Sequence, residues 1–325
     1  MPAFLGVDIG NTKSHALIAD ADGHLLGVGT SGSGSPEVLG YEHFGSTLRA
    51  MLKEALAQAG LSAADIKAGG FGVAGFDWPS QEAPCLSEIA SLNLSGPSRL
   101  VNDALVGMLA GAPQGWGIGL VAGTGSNCWG MDAKGHIGRM TGMSHLMDEG
   151  GGGSSLVLWA LQAVGKAWTM RGPQTLLTDL FLQHFGERDV LALLEKLAMN
   201  RELVDASLAP LIMRAAMEED QVTMEILQRA AVDLASLCLG VARQLKLEKK
   251  YFDVVLIGGV FTASELIVQL VRNCVLNDMP GAHLIRLDSP PVVGGVVLAT
   301  QQAGLHLSLE ALERLKVEAK RELQD

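Results

Sequence analysis

The chain has 325 residues, of which 48% are hydrophobic and 40 are glycine, and its formal net charge is −11. This length predicts about two domains, and the negative charge argues against nucleic acid or an anionic membrane as the main partner, because both favour basic faces. No apolar run reaches the roughly 18 residues that a membrane span needs, and the first ten residues lack the basic start of a signal peptide. We therefore expect a cytoplasmic protein with neither a membrane nor a nucleic-acid partner.

The first hundred residues alternate between strand and helix patterns. Apolar runs and turn signals predict the elements in chain order, which are strands at 3–9, 14–20 and 25–30, a helix from Pro36 to Gly60, a strand at 69–75, a helix at 82–92 and a strand at 98–102. Proline suits the first helical turn and glycine suits the helix end, which supports the bounds of the long helix. Strands that alternate with helices indicate an α/β fold.

A strand-rich pattern restarts near residue 116, and residues 154–248 are almost entirely helical by pattern. The remaining predicted elements are a strand at 251–257, a helix at 262–275, a strand at 282–288, a helix at 292–304 and a charged helix at 307–325. We expect an N-terminal domain at 1–112 and a C-terminal domain at 113–305 that carries the helical insertion. The final helix, from about residue 306, is expected to pack back on the first domain.

Two stretches of the chain echo each other, which indicates two related halves. Residues 6–27 and 120–138 both run from an apolar strand through a small polar loop into a second strand. Both then end in a glycine–histidine turn, at Gly23-His24 and Gly135-His136. Because the pattern occurs twice only, it favours a duplication over a solenoid.

The loop of the first copy combines a carboxylate with residues that suit anion binding. Asp8 ends a buried strand, and Gly10 lets the backbone approach a ligand closely. Backbone N–H groups, the Thr12 hydroxyl and Lys13 could form a nest for anionic oxygens, and Asp8 would stand where Mg²⁺ between phosphates needs a ligand, directly or through water. An ordinary type I′ hairpin with Asn11 at positive φ accounts for the same residues.

The loop of the second copy, Gly123-Thr124-Gly125-Ser126, offers N–H groups and two hydroxyls without charge. Two such hairpins facing each other would hold a phosphate chain from both sides. Neither matches the Walker motif or the dinucleotide fingerprint. A third glycine turn, Gly258-Gly259, follows a buried strand and permits flat contact with a ring such as adenine. The same pattern is also common wherever a strand turns tightly into a helix, without any ligand.

Four carboxylates are candidates for acid–base work or sugar binding. Asp103 ends a strand and begins a helix, so it suits both a helix N-cap and a proton acceptor for a hydroxyl that attacks a γ-phosphate. Asp148 and Glu149 precede four glycines that open a helix, where they would bind sugar hydroxyls or lie solvated in a loop. Asp77 follows a buried strand and either faces the same cleft or makes an Asx turn before proline.

The order of these motifs resembles the BadF/BadG/BcrA/BcrD ATPase family and, within it, the N-acetylglucosamine kinases. The motifs are Asp8-x-Gly10-x-Thr12, VNDA at 101–104, GTGSN at 123–127, DEG at 148–150 and IGGVF at 257–261. The resemblance extends over nearly the whole chain, from residue 4 to about 300. It implies two ribonuclease-H-like domains of the actin-like ATPase type around a central cleft, ATP and Mg²⁺ as cofactors, and a homodimer.

The resemblance also implies an activity and a role for each matching residue. The activity is ATP-dependent phosphorylation of a hydroxyl of an amino sugar such as N-acetylglucosamine or glucosamine. The ATP phosphates would contact Asp8, Gly10, Asn11, Thr12, Lys13, Gly123, Thr124, Gly125 and Ser126, and the adenosine would contact Gly258, Gly259 and Val260. Asp103 would deprotonate the sugar 6-hydroxyl, Asp8 would bind Mg²⁺, and the sugar would contact Ser35, Asp77, Asp103, Asp148 and Glu149.

The sugar motifs depart from the family pattern, whereas the ATP motifs are intact. The family usually has asparagine near the position of Ser35, and tryptophan or tyrosine where Met143 stands. The segment before the DEG motif is one residue shorter here than in the family. Two alignments are therefore equally defensible, and the family's aspartate corresponds to Asp148 in one and to Glu149 in the other. Phosphoryl transfer from ATP is therefore better supported than the identity of the acceptor.

Two other classes of function compete with the kinase. One is an ATP-driven activator of a 2-hydroxyacyl-CoA dehydratase or reductase, which would hold an iron–sulfur cluster by cysteines. The placement of the four cysteines does not support a cluster, and without metal spacing they are expected to be reduced thiols; they are Cys85, Cys128, Cys238 and Cys274. The other is a non-catalytic sugar or nucleotide sensor, against which Asp103 argues.

Overall fold

The computed structural model describes residues 2–323 of the chain. Its first sheet comprises β1 (Ala3–Ile9), β2 (Ser14–Asp20), β3 (Leu25–Ser31), β4 (Ile66–Val73) and β5 (Ser98–Asn102). Its second sheet comprises β6 (Gly117–Ala122), β7 (Ser126–Met131), β8 (Ile137–Arg139), β9 (Phe252–Ile257) and β10 (Ala282–Arg286). The strands are short, and the central ones, β1, β4, β6 and β9, are almost fully buried, as expected of sheets that are covered by helices.

The two sheets have the same topology, which confirms the duplication predicted from the sequence echo. The first has the order β3-β2-β1-β4-β5 and the second has the order β8-β7-β6-β9-β10. In each, the first three strands in chain order pair antiparallel and the last two join in parallel. The loops that contain Gly10 and Gly123 therefore occupy equivalent positions, after the first strand of each sheet.

The helices are α1 (Pro36–Ala59), α2 (Pro79–Ala90), α3 (Asp103–Gly111), α4 (Gly153–Trp168), α5 (Leu176–Phe185), α6 (Val190–Met199), α7 (Ala209–Met217), α8 (Gln221–Gln244), α9 (Gly259–Ala263), α10 (Glu265–Asp278), α11 (Val293–Gln302) and α12 (Leu309–Leu323). The segment between β8 and β9 thus holds α4 to α8. Among residues 2–323, no helix is both long enough and apolar enough to cross a membrane.

Two predicted helices have different bounds in the structure. The helix predicted at 82–92 begins at Pro79, because the Gln81 side chain accepts the N–H groups of Asp77 and Trp78 at 2.7 Å each and so caps an earlier start. The helix predicted at 262–275 is two helices, because Ser264 has extended backbone angles between α9 and α10.

Helices α3 and α11 lie between the two sheets, and α12 packs on the same face of the first sheet as α11, whereas α1 and α2 cover its opposite face. Residues of α11 and α12, including Val296 and Leu315, share a buried core with Phe4 and Leu17 of the first sheet. The apolar face of α3, including Val106, packs with Trp129 and Val255 of the second sheet and so joins the two halves. The domain boundaries at residues 112 and 305 stay a prediction.

Helix α11 approaches the first sheet and α3 by backbone contact, which only glycine permits. A Cβ atom on Gly295 would lie 2.8 Å from the backbone nitrogen of Val7, and one on Gly294 would clash with the carbonyl oxygen of Val106. Because β1 leads to Asp8 and α3 begins at Asp103, this contact fixes the spacing between the two elements that carry those residues.

We expect Gly294→Ala to destabilise the protein by about 3 kcal/mol, because a backbone carbonyl cannot move aside as a side chain could. The matched control is Gly165→Ala in α4, where a Cβ meets no atom within 4 Å. The control should stabilise the protein by up to about 1 kcal/mol, as alanine does in an open helical position. Urea unfolding of both variants measures the difference, and equal stabilities would contradict the backbone contact.

Candidate active site

A cleft between the two sheets collects most of the predicted phosphate and sugar residues. Its volume is about 390 Å³, and it is lined by Gly10, Asn11, Thr12, Lys13, Glu37, Ala74, Gly75, Asp77, Asp103, Val121, Gly123, Thr124, Gly125, Ser126, Asn127 and Gly142. The two echoed loops thus face the same space, with Asp77 and Asp103 between them. Asp8, Ser35, Asp148 and Glu149 are not among the lining residues.

The loop after β1 is a tight turn that leaves its side chains open to solvent. A Cβ on Gly10 would clash with the carbonyl oxygen of Lys13, and the Gly10 carbonyl accepts the N–H of Gly34 at 3.2 Å. Asn11 does not have positive φ, so the type I′ hairpin considered from the sequence is wrong. The side chains of Asn11, Thr12 and Lys13 are exposed and available to a ligand.

The loop after β6 is tied by its backbone to the start of α4. The carbonyl oxygens of Gly123 and Thr124 accept the N–H groups of Gly153 and Ser154 at 2.8 and 2.9 Å, and the N–H of Gly123 donates to the carbonyl of Gly125 at 2.9 Å. The first N–H groups of a helix have no partner within the helix. Here two of them hold the second phosphate loop in place.

The four-glycine run before α4 lets this loop pack directly on it. A Cβ on Gly152 would clash with the backbone of Gly125. The hydroxyl of Ser126 donates to the carbonyls of Glu149 and Gly150 at 2.8 and 2.9 Å. The Ser126 side chain therefore anchors the glycine run to the loop after β6.

Three carboxyl groups in or beneath the cleft have raised pKa values, chiefly because they are buried. Burial and then the charge of Asp103 raise the pKa of Asp8 to about 8. Burial and then the charge of Asp77 raise the pKa of Asp103 to about 7. Burial and then Glu37 also raise the pKa of Asp77, against the opposing effect of Arg139. A carboxyl group with a pKa near neutrality is suited to act as a general base.

Asp103 is not the N-cap of its helix, which corrects that expectation. Asn102 takes this role, since its Oδ1 accepts the N–H of Ala104 at 3.0 Å. The Nδ2 of the same side chain donates to the carbonyl of Phe76 at 3.2 Å and to Oδ1 of Asp77 at 3.3 Å. The Asp103 carboxylate lies in the first turn of α3, where it faces the cleft.

Glu37 is a cleft residue that the sequence analysis missed. It lies in the first turn of α1, and a Cβ on Gly75 would meet its side chain at 2.8 Å. Its position after Ser-Pro marks a helix start but gives no sign of the cleft. Ser35, which was expected to touch a sugar, is fully buried and donates its hydroxyl to the carbonyl of Ala74 at 3.0 Å.

Asp148 and Glu149 have opposite surroundings. Glu149 is 1% exposed, and its carboxylate accepts the N–H groups of Thr141, Gly142 and Met143 at 2.6, 3.0 and 3.2 Å. Asp148 is exposed and has a left-handed backbone, with φ of 59°. Glu149 thus holds the loop that brings Gly142 to the cleft, where a Cβ would lie 2.8 Å from Cγ of Asp77.

A second cavity of about 410 Å³ continues from the second phosphate loop. It is lined by Gly123, Thr124, Gly153, Ala206, Ser207, Ala209, Pro210, Met213, Gly259, Val260 and Ala263. Gly259 and Val260 are thus placed as an adenosine motif would require, while Gly258 has φ of 110° and packs on Ala122. The wall at 206–213 was missed, because its sequence shows a helical pattern and nothing more.

Comparison with known proteins identifies the family. The model of the BadF/BadG/BcrA/BcrD ATPase family matches residues 5–299, so the chain belongs to this family, as the order of its motifs predicted. An N-acetylmuramic acid/N-acetylglucosamine kinase of Clostridium acetobutylicum is 26% identical over 305 residues, which span 93% of this chain and 99% of that protein. An N-acetyl-D-glucosamine kinase of Dictyostelium discoideum is 26% identical over 314 residues, or 91% and 97% of the two chains.

A solved structure shares the fold. A Chromobacterium violaceum protein, provisionally named as an N-acetylglucosamine kinase, superposes with a TM-score of 0.66 at 24% identity, over 92% of this chain and 99% of that one. The predicted α/β fold with two actin-like halves is therefore confirmed.

The raised pKa of Asp8 predicts a variant that is more stable than the natural protein at high pH. When the pKa of a carboxyl group is higher in the folded than in the unfolded state, the folded protein loses stability as the pH rises from the lower pKa to the higher one. Here that window runs from about 4 to about 8. Asp8→Asn removes the charge, so we expect its melting temperature to exceed that of the natural protein by a few degrees at about pH 8.5 and to match it near pH 4.5.

Asp65→Asn is a control with the opposite sign. The side chain and backbone of Ser62 lower the pKa of Asp65 by hydrogen bonding. Its stabilising contribution is present above pH 4, so this variant should melt lower than the natural protein at neutral pH. If the difference in melting temperature between Asp8→Asn and the natural protein does not change with pH, the pKa of Asp8 is not raised by burial.

Proposed function

We propose that this member of the BadF/BadG/BcrA/BcrD ATPase family is an ATP-dependent kinase that phosphorylates a hydroxyl of an amino sugar such as N-acetylglucosamine or glucosamine. The observation that carries the proposal is the position of Asp103, a carboxyl group with a pKa near 7 in a cleft between two echoed loops. Both curated relatives are named as kinases of N-acetylated amino sugars, and their similarity extends along nearly the whole chain.

The two cavities support one binding mode for ATP. They share Gly123 and Thr124, so an apolar pocket that suits a purine leads directly into the acidic cleft. In this mode the adenosine lies between 206–213 and Gly259–Val260. The phosphates pass the loop after β6 and reach the loop after β1, where backbone N–H groups and the Thr12 and Lys13 side chains would bind their oxygens.

The residues present fit a magnesium ion held mainly by the nucleotide. Among residues 2–323, no three His, Cys, Asp or Glu side chains form a metal cluster, so the chain does not build a closed cage. Magnesium commonly binds one or two carboxylates together with phosphate oxygens and water. Asp8 lies beneath the cleft, near the end of β1, and would supply such a carboxylate directly or through water. When bound, the ion would neutralise charge on the phosphates.

Asp103 would act as the general base. As the acceptor hydroxyl oxygen bonds to the γ-phosphorus, the bond between that phosphorus and the oxygen of the departing ADP breaks, and Asp103 takes the hydroxyl proton. The capping of α3 by Asn102 leaves this carboxylate free for the proton and holds it rigidly. Both features favour transfer, because a base must lie within hydrogen-bonding reach of the proton that it removes.

The sugar would lie against the acidic side of the cleft. Asp77 and Glu37 line it and can accept hydrogen bonds from sugar hydroxyls. Glu149 would contribute indirectly, by holding the loop 141–143, whereas the exposed Asp148 is free to contact a ligand. A homodimer, a cytoplasmic location and the choice of acceptor sugar stay predictions.

We expect Asp103→Asn to lower kcat by about a hundredfold or more, because it removes the proton acceptor and little else. Affinity for Mg-ATP should persist, since the phosphate loops do not change. The matched control is Asp179→Asn, an exposed aspartate in the first turn of α5. Coupled ADP release and nucleotide titration measure the two effects, and turnover at the natural rate would exclude Asp103 as the base.

A panel of acceptors tests the proposed function as a whole. ADP release with Mg-ATP would be measured with N-acetylglucosamine, glucosamine, N-acetylmuramic acid, N-acetylmannosamine, glucose and no sugar. We expect turnover that depends on one of the amino sugars. Binding of ATP without sugar-dependent turnover across the panel would contradict the proposal and favour a sensor.

A further inference from the structure

Arg139 lies between two tryptophans that come from different halves of the molecule. It stands directly across from Trp129 in the pairing of β7 with β8, and its guanidinium is 5.0 Å from the centroid of that ring. The same guanidinium is also 5.0 Å from the ring centroid of Trp78, which precedes α2 of the first half. Attraction between a cation and an aromatic face is strongest where the pair is partly desolvated, as it is here beside the buried Trp129.

The backbone of Arg139 is fixed independently of its side chain. Strand β8 is at the edge of its sheet, and the side-chain amide of Gln244 pairs with both the N–H and the C=O of Arg139 at 3.0 Å each. Gln244 is the last residue of α8. Arg139 is therefore held by the second sheet and by α8 before it reaches across to the first half.

The guanidinium reaches the residue that lines the cleft. Its Nη1 donates to the carbonyl oxygen of Asp77, next in the chain to the stacked Trp78. The carboxylate of Asp77 accepts Nδ2 of Asn102, and Oδ1 of Asn102 caps the helix that begins with Asp103. Contacts thus run without a break from Arg139 to the start of α3.

We propose that Arg139 is a positioning residue that holds Asp77 in place for the acceptor sugar and, through Asn102, sets the start of the helix that carries Asp103. The catalytic part of this inference rests on the proposed function. Arginine suits the task because its planar group stacks on both rings while its edge donates to the Asp77 carbonyl. A lysine at this position would keep the charge and a donor but has no planar group to lie over both rings.

The test compares Arg139→Gln and Arg139→Lys with a matched arginine elsewhere. Arg243 is also in the second half, and it is exposed and bonded to Asp278, so Arg243→Gln and Arg243→Lys serve as controls. Amide hydrogen exchange of residues 76–81 and 102–105 would be measured in the free proteins. We expect exchange there to rise about tenfold in both Arg139 variants, with no change in the controls.

Steady-state kinetics then separate positioning from general stability. In both Arg139 variants KM for the sugar should rise about tenfold and kcat should fall, because small displacements of binding groups weaken the reaction strongly. KM for ATP should stay within about twofold of its natural value, since the pocket at 206–213 and Gly259–Val260 does not include Arg139. The lysine variant should not restore sugar binding.

Three results would overturn the inference. Unchanged exchange at 76–81 and 102–105 would do so whether or not the protein phosphorylates sugars. Raised exchange with unchanged sugar KM and kcat would reduce Arg139 to a stabilising contact. An equal rise in KM for ATP and for the sugar would indicate a general loss of structure. Failure of the proposed kinase shows separately, as absent turnover of the natural protein in the same assay.

Discussion

Three carboxyl groups, those of Asp8, Asp77 and Asp103, occupy one partly buried region, and the cost of burying them close together is the constraint on which the rest of the site depends. Burial is the largest cause of the raised pKa of each group, and the charge of Asp103 adds to it at Asp8, as that of Asp77 does at Asp103. The free protein therefore holds these carboxyl groups at a cost to its stability. Donors from both halves oppose that cost, among them the Asn102 amide and the Arg139 guanidinium. A nucleotide that brings its own magnesium ion would lower this cost of burying the carboxyl groups further. The strain of the free protein would then favour binding of the ligand.

The glycine loops that form the walls of the cleft depend on close contacts between backbones. Gly10 turns onto the carbonyl of Lys13, Gly152 lies on Gly125, and Gly258 lies on Ala122. At each contact a side chain would separate two segments that form the walls of the cleft. Glycine at these three positions lets the loops touch, and the N–H groups that would bind phosphate under the proposed function can converge only if the loops that carry them do so.

Much of the fold follows from local patterns in the sequence. The alternation of strands and helices, the echo of the first strand pair and the glycine turns are all visible within short windows, and the structure confirms the duplicated sheet order. The position of Asp103 at the end of a strand was predictable for the same reason. Its role at the helix start was not, because Asn102 and Asp103 are both favourable caps and a shift of one residue decides between them.

The residues that the sequence did not reveal are brought to the site by long-range contacts. Glu37, the wall at 206–213 and Arg139 lie far along the chain from the loops that they approach, and each sits in an ordinary helix or strand pattern. Periodicity reports which face of an element is buried, but it does not report what that face meets. Tertiary packing alone supplies that information.

The loop before α4 is ordered by a buried carboxylate that accepts backbone N–H groups. Where the family usually has an aromatic ring, Met143 offers its backbone N–H to the buried Glu149 and leaves its side chain exposed. Glu149 is thereby committed to the loop 141–143 and contributes shape, since it orders Gly142 beside Asp77. Aromatic surface near Asp77 comes instead from Trp78 and Trp129, on either side of Arg139. The side of the cleft at Asp77, where we propose that the sugar binds, is therefore ordered by the buried Glu149 carboxylate on one side and the Arg139 guanidinium on the other, and both act on the same aspartate.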